Sequence, residues 1–216
     1  MEIKIFRKNF TEKVLESINS KGYVYKSSKE AFVKSEGEHQ FYVFVYMYKR
    51  STFIELETKA YYGNNIVERE LIKTGIKIQN KEICGGGIDF ISEYYFSREF
   101  PEKYSTLIYM LDDDLSLFVE KWLYYFEDIV EPFFKDCLDP KILNNIVNNA
   151  PIDKPALNSS YETRVMKSYF VGKMAGLVND ELLNLLNLYE AELRSWGDDA
   201  RYLSQFLEMK NQLIEK

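Results

Sequence analysis

His39 is the single histidine of the chain, so a histidine-based zinc site, a Ser-His-Asp triad or a Cys-His pair would each have to use it. It sits in Glu36-Gly37-Glu38-His39-Gln40, a run that reads as a turn with a solvated imidazole. Asp112-Asp113-Asp114 offers oxygen ligands to a hard cation, but not in the alternating spacing that ends on a glutamate. The same three acids suit the positive end of a helix dipole. Gly85-Gly86-Gly87 is followed by no Lys-Ser/Thr pair and does not satisfy Gly-x-Gly-x-x-Gly, so a tight turn or bulged strand is expected there, not a phosphate cradle. Cys84 and Cys137 lack CxxC spacing, which points to buried, reduced thiols without a disulfide framework or zinc. Glu57 and Lys59 stand two residues apart, so on a strand the carboxylate and the amine share one face. They are the candidates for an enzymatic or ligand-binding site.

The element that must position this pair is the clearest in the chain. Phe41-Tyr42-Val43-Phe44-Val45-Tyr46-Met47-Tyr48 and Thr52 to Tyr62 are rich in β-branched and aromatic residues, and Lys49-Arg50-Ser51 between them is short and polar. The two runs predict a β-hairpin. On the first strand Phe41, Val43, Val45 and Met47 point one way and Tyr42, Phe44, Tyr46 and Tyr48 the other, so neither side is polar. Either helices cover both faces, helix one on one side and later helices on the other, or the tyrosine face lines a pocket or a partner interface. On the second reading Tyr42, Tyr46, Tyr48, Glu55 and Glu57 meet the partner.

Around the hairpin the expected organisation is α+β. Asn9 with Glu12 reads as a capping box for a first helix carrying Phe10, Val14, Leu15 and Ile18 and closed by Gly22. Tyr23–Tyr25 and Ala31–Lys34 add strands, giving an antiparallel meander of about four. Asn65 with Glu68 caps a short crossing helix that ends near Gly75. Phe90–Phe96 extends the short strands around the glycines. Asp112–Asp114 opens a helix through Leu115, Phe118, Val119, Trp122, Phe126 and Ile129, which Pro132 should end or kink. Helices then start at Asp139-Pro140, Ser159-Ser160 and Asn179, with a loop from Asn148 to Asn158 and a break at Gly197-Asp198-Asp199 before a last helix. The final two make an αα-hairpin. The division falls between a sheet-containing part, 1–111, and a helical part, 112–216, packed as one interdependent body because no Gly/Ser linker separates them.

Composition narrows the function classes. With 216 residues and 46% hydrophobic content the chain can bury a substantial core. Its net charge of −6, with both signs interspersed, disfavours sequence-independent binding to nucleic-acid phosphates. The start lacks a signal-peptide apolar core, and no stretch reaches the roughly 20 apolar residues of a membrane span. A cytoplasmic protein is expected, with no membrane association, no metal and no cofactor.

Two resemblances bear on function. Glu57-Thr58-Lys59, preceded by Ile54 and Leu56, resembles the Glu-x-Lys half of the restriction-endonuclease-like nucleases. That likeness implies acids holding a magnesium ion and a lysine positioning the attacking water. The family's pattern also calls for an acid on the preceding strand; Phe41–Tyr48 has none, and Glu36 and Glu38 lie upstream. Alternation of Glu55, Glu57 and Lys59 with Ile54, Leu56 and Thr58 equally describes a half-exposed strand. Across Asn9 to Gly75, the capped helix, aromatic meander and acidic balance resemble the small acidic bacterial immunity-type proteins and neighbouring families of unknown function. This second likeness implies a non-catalytic protein that binds a partner stoichiometrically, commonly a toxin, with an acidic face against a basic one.

Overall fold

A computed structural model describes residues 2–76, 81–101, 106–148, 157, 161–195 and 200–214. The architecture is α+β, with an N-terminal helix, a five-strand meander interrupted by a short helix, and a mostly helical C-terminal half. The chain forms two compact units: Met1–Tyr62 with Gly85–Lys135, and Gly63–Cys84 with Asp136–Lys216.

In the first unit, α1 (Ile3–Ile18) buries Phe6, Phe10, Val14 and Ile18, which recur at helical spacing on one side. It begins at Ile3, after an extended Glu2, so Asn9 and Glu12 lie inside the helix and form no capping box. An apolar face that already includes Phe6 outweighs the cap preference of Asn9. The helix tightens into a 3₁₀ turn at Asn19–Lys21 and stops at Gly22, whose φ of +89° is open to glycine at little cost.

Strands β1 (Val24–Lys26), β2 (Ala31–Glu36), β3 (His39–Lys49) and β4 (Phe53–Asn64) follow, and β5 (Glu82–Gly87) completes the order β1-β2-β3-β4-β5. Strand β6 (Thr106–Met110) pairs antiparallel with the start of β4, placing Ile108 opposite Glu55 and Met110 opposite Phe53. The predicted hairpin is β3 with β4. Across β1, β2 and β3 the register sets Val24 against Val33 and Val33 against Tyr42, so these three share the tyrosine face.

Gly85 lies in β5, not in a turn, with a φ of +141°. A Cβ there would stand 2.0 Å from the Ala60 carbonyl oxygen and 2.6 Å from the Tyr61 Cα, so the glycine run permits a close backbone approach to β4. The aromatic run that was expected to be strand is helical: α3 (Ile88–Phe90) continues into a π-turn at Ile91–Tyr95. Phe90 and Tyr94, four residues apart, pack as tilted rings with centroids 4.3 Å apart, as neighbours on one side of a helix do.

Helix α4 (Leu115–Tyr125) starts at Asp114, whose side chain accepts from Ser116 N at 2.7 Å. It runs through a π-turn at Phe126–Val130 into α5 (Glu131–Cys137). Pro132 does not end the run, because a proline in the first turn of α5 follows a segment where the i to i−4 bonding has already changed to a wider turn. Both α1 and α4 pack on the Val43 face of the sheet. Phe6 meets Tyr109 at 4.8 Å, Phe10 and Phe32 meet Trp122 at 5.7 and 5.6 Å, and Phe41 meets Phe134 at 5.1 Å. Trp122 Nε1 donates to Thr58 Oγ1 at 3.0 Å inside this core.

The second unit contains α2 (Asn65–Ile72), α6 (Pro140–Asn148), α7 (Tyr161–Met174), α8 (Asn179–Ser195) and α9 (Ala200–Ile214). Asn64, one residue before the predicted cap, accepts from Ile66 N and Val67 N. Asp139 caps α6 as expected, accepting from Lys141 N at 2.8 Å. Helix α7 packs on α2, α6 and α8, and α8 on α9. Most of the Asn148–Asn158 loop, the Ser159-Ser160 cap and the Gly197-Asp198-Asp199 break lie outside the described residues.

Candidate functional site

The two faces of β3 have different fates. Phe41, Val43, Val45 and Met47 are all buried beneath the helices. On the other face burial fades along the strand: Tyr42 is buried among Ala31 and Val33, Phe44 and Tyr46 are half-buried, and Tyr48 is 46% exposed. The cause is the placement of α1 and α4 on one side. The expectation that helix one and later helices would take opposite faces therefore fails for this pair of helices.

Period-two spacing turns these rings into a ladder. Tyr42 and Phe44 stack at 6.1 Å, Phe44 and Tyr46 at 6.0 Å, and Tyr61 of β4 meets Phe44 edge-on at 5.8 Å. Lys29 Nζ lies over the Tyr42 ring at 5.1 Å and Lys59 Nζ over the Tyr46 ring at 5.6 Å. Opposite residues of β6 extend the same surface, with Ile108 at 52% and Met110 at 45% exposure.

Glu55, Glu57 and Lys59 project from β4 onto this face, as their alternation with buried Ile54, Leu56 and Thr58 requires. The structure brings Glu57 and Lys59 together, Nζ to Oε1 at 3.0 Å, and the Tyr48 hydroxyl donates to Glu57 Oε2 at 3.4 Å. Arg50 donates from Nε and Nη2 to Glu55 Oε2 at 3.0 and 2.7 Å. Burial pulls the Lys59 ammonium down, and its hydrogen bond and charge contact with Glu57 more than offset that, leaving it raised. Burial also pushes the Tyr46 and Tyr48 phenols up; Glu57 adds to both, while Lys59 opposes. The acids and cations of β4 near the ladder thus pair with one another or with Arg50 on the same face. Among the described residues no three His, Cys, Asp or Glu side chains converge as metal ligands would.

The other sequence candidates are dispersed. His39 is the first residue of β3, half-buried, and its Nδ1 is 2.7 Å from the hydroxyl of buried Tyr62. It is therefore not a solvated turn residue, because the turn is confined to Gly37 and Glu38 and pairing begins at Glu36 opposite His39. Asp113 accepts from Met110 N at 3.0 Å and Asp114 caps α4, so both act locally on the backbone.

Sequence reasoning missed a polar set in the second unit. Lys167 of α7 is wholly buried against Glu68 of α2, and its Nζ donates to Glu82 O at 3.2 Å. Burial pulls Lys167 down and Glu68 opposes it. One turn away Arg164 Nε donates to Val147 O at 2.9 Å and to the Tyr189 hydroxyl at 3.2 Å, while that hydroxyl lies 3.0 Å from Asn148 Oδ1. These contacts tie α6, α7 and α8 together. Arg164, Lys167 and Ser168 share the i, i+3, i+4 spacing of a buried stripe, a signal masked by the neighbouring apolar set of Val165 and Met166.

A groove of about 470 Å³ lies among α2, α7, α8 and α9, lined by Phe170, Lys173, Leu182, Leu186, Leu213 and Ile214 among others. Neither Glu57 nor Lys59 lines it. Among the described residues no helix is long and apolar enough to cross a membrane. No family model, curated protein or solved structure matches the chain significantly.

Proposed function

We propose that this chain is a non-catalytic protein-interaction module of the immunity type, which binds a partner protein through the Tyr46–Tyr48 end of its open sheet face. One observation carries the reading: Tyr42, Phe44 and Tyr46 stack in a ladder that emerges from burial along β3 toward Tyr48, which is 46% exposed, on a face that also carries exposed Ile108 and Met110 across β4. Exposed rings and aliphatic side chains on one sheet face, with the paired charges of β4 between them, favour association, and Tyr is enriched among residues that anchor interfaces. Glu55 and Glu57 on β4, between the β3 rings and β6 in a chain of net charge −6, suit a partner whose apolar patch carries basic groups. The partner's approach would desolvate the Glu57–Lys59 pair and fix register, while the rings supply the buried area.

The test is capture of stoichiometric complex from the native host with the wild-type chain and with Tyr46→Ala and Tyr48→Ala. Loss of the partner with both variants supports the reading. Undiminished capture by both contradicts it. Magnesium-dependent cleavage of DNA that disappears in Glu57→Gln and Lys59→Ala would replace it with the nuclease reading.

A further inference from the structure

The two cysteines of the chain are 53 positions apart yet meet inside the second unit, with Cys84 Sγ 3.6 Å from Cys137 Sγ. Both are buried, Cys84 at the end of one segment of that unit and Cys137 near the start of the other. A disulfide needs about 2.05 Å between sulfurs, so side-chain rotation and a small backbone adjustment would close the remaining distance. We propose that Cys84 and Cys137 form a reversible dithiol–disulfide site, whose closure staples the 63–84 segment to the 136–216 segment. This inference is independent of the sheet-face reading.

In the reaction two S–H bonds break and one S–S bond forms. The two protons and two electrons pass to a small-molecule disulfide, which leaves as two thiols. The first thiolate attacks that oxidant to give a mixed disulfide, and the second cysteine displaces it. Burial pushes the Cys137 thiol up, which slows exchange in the closed chain. Closure therefore proceeds during folding or opening of the unit, and the finished bond is shielded from reductants. Cross-linking a long loop constrains the unfolded chain, so the oxidised form is the more heat-resistant one.

The experiment refolds the full chain in oxidised and reduced glutathione and reads intact mass, peptide map and melting temperature. Expected are a monomer lighter by two hydrogens, a linked peptide pair containing Cys84 and Cys137, and an apparent Tm raised by roughly 5 °C or more, restored to the reduced value by dithiothreitol after denaturation. Cys84→Ala and Cys137→Ala, each small and apolar enough for a buried thiol site, lose the mass change and the Tm increment together. Glutathione adducts alone, disulfide-linked dimers, thiols that stay reduced, or a linked monomer that melts lower would each overturn the proposal.

Discussion

Replacing Thr58 by Val probes the side-chain hydrogen bond between the buried face of β4 and α4. Thr58 is the polar residue on a buried strand face between Leu56 and Ala60, and its Oγ1 accepts from Trp122 Nε1 at 3.0 Å. Valine matches its shape, so packing against Trp122 survives while the indole N–H loses its acceptor in a site without water contact. An orphaned buried donor costs about 1–3 kcal/mol, and the added methyl returns up to about 0.8 kcal/mol. The expected net loss is between about 0.2 and about 3 kcal/mol. In a Trp122→Phe background there is no N–H to orphan, so the same Thr58→Val change should be neutral within about 0.5 kcal/mol or stabilising. Urea unfolding of the four proteins, followed by far-UV circular dichroism, gives the coupling directly. An equal loss from Thr58→Val in both backgrounds would refute the role given to this hydrogen bond.

Three further substitutions test the fold. Gly85→Ala drives a Cβ into the Ala60 carbonyl at 2.0 Å and should cost at least about 3 kcal/mol in urea unfolding. Gly37→Ala, left-handed at φ +58° but with open space around the new atom, should cost only about 1 kcal/mol; equal losses would contradict the close approach. Burial pushes the Tyr23 phenol up, with Glu131 and Glu36 adding to it, so the folded chain keeps a proton that the unfolded chain releases. That contribution is complete below the ordinary phenol pKa of about 10 and is lost as pH rises above it. The fall in urea midpoint between about pH 9 and about pH 11 should be smaller for Tyr23→Phe than for wild type, and an unchanged slope would exclude Tyr23 as a source.

Local pattern carried the hairpin, because aromatic and β-branched residues at period two state both the strand and its two faces. That Tyr46 and Tyr48 share one face of β3, and Glu55, Glu57 and Lys59 one face of β4, was legible for the same reason. Which face stays open was not legible, since it depends on α1 and α4 choosing the same side, a matter of long-range packing between Phe10, Trp122 and Phe32. The choice between a tight turn and a bulged strand at Gly85 was not legible, because its constraint comes from the neighbouring strand and not from its own segment. The α1 start was misplaced for a related reason: Asn9 is a good cap in isolation, yet the apolar face reaches back to Phe6. The Cys84–Cys137 and Lys167–Glu68 contacts join distant segments, and no local spacing encodes them.

The claim that the open face binds a partner is tested most directly by quantitative capture from the native host, comparing wild type, Tyr46→Ala and Tyr48→Ala with Leu188→Ala, an exposed position on α8 in the second unit. A single partner at unit stoichiometry should be retained by wild type and by Leu188→Ala, and lost by at least tenfold with either tyrosine variant, a loss of about 1.4 kcal/mol or more. A partner captured equally by all four chains would contradict the assignment of this face.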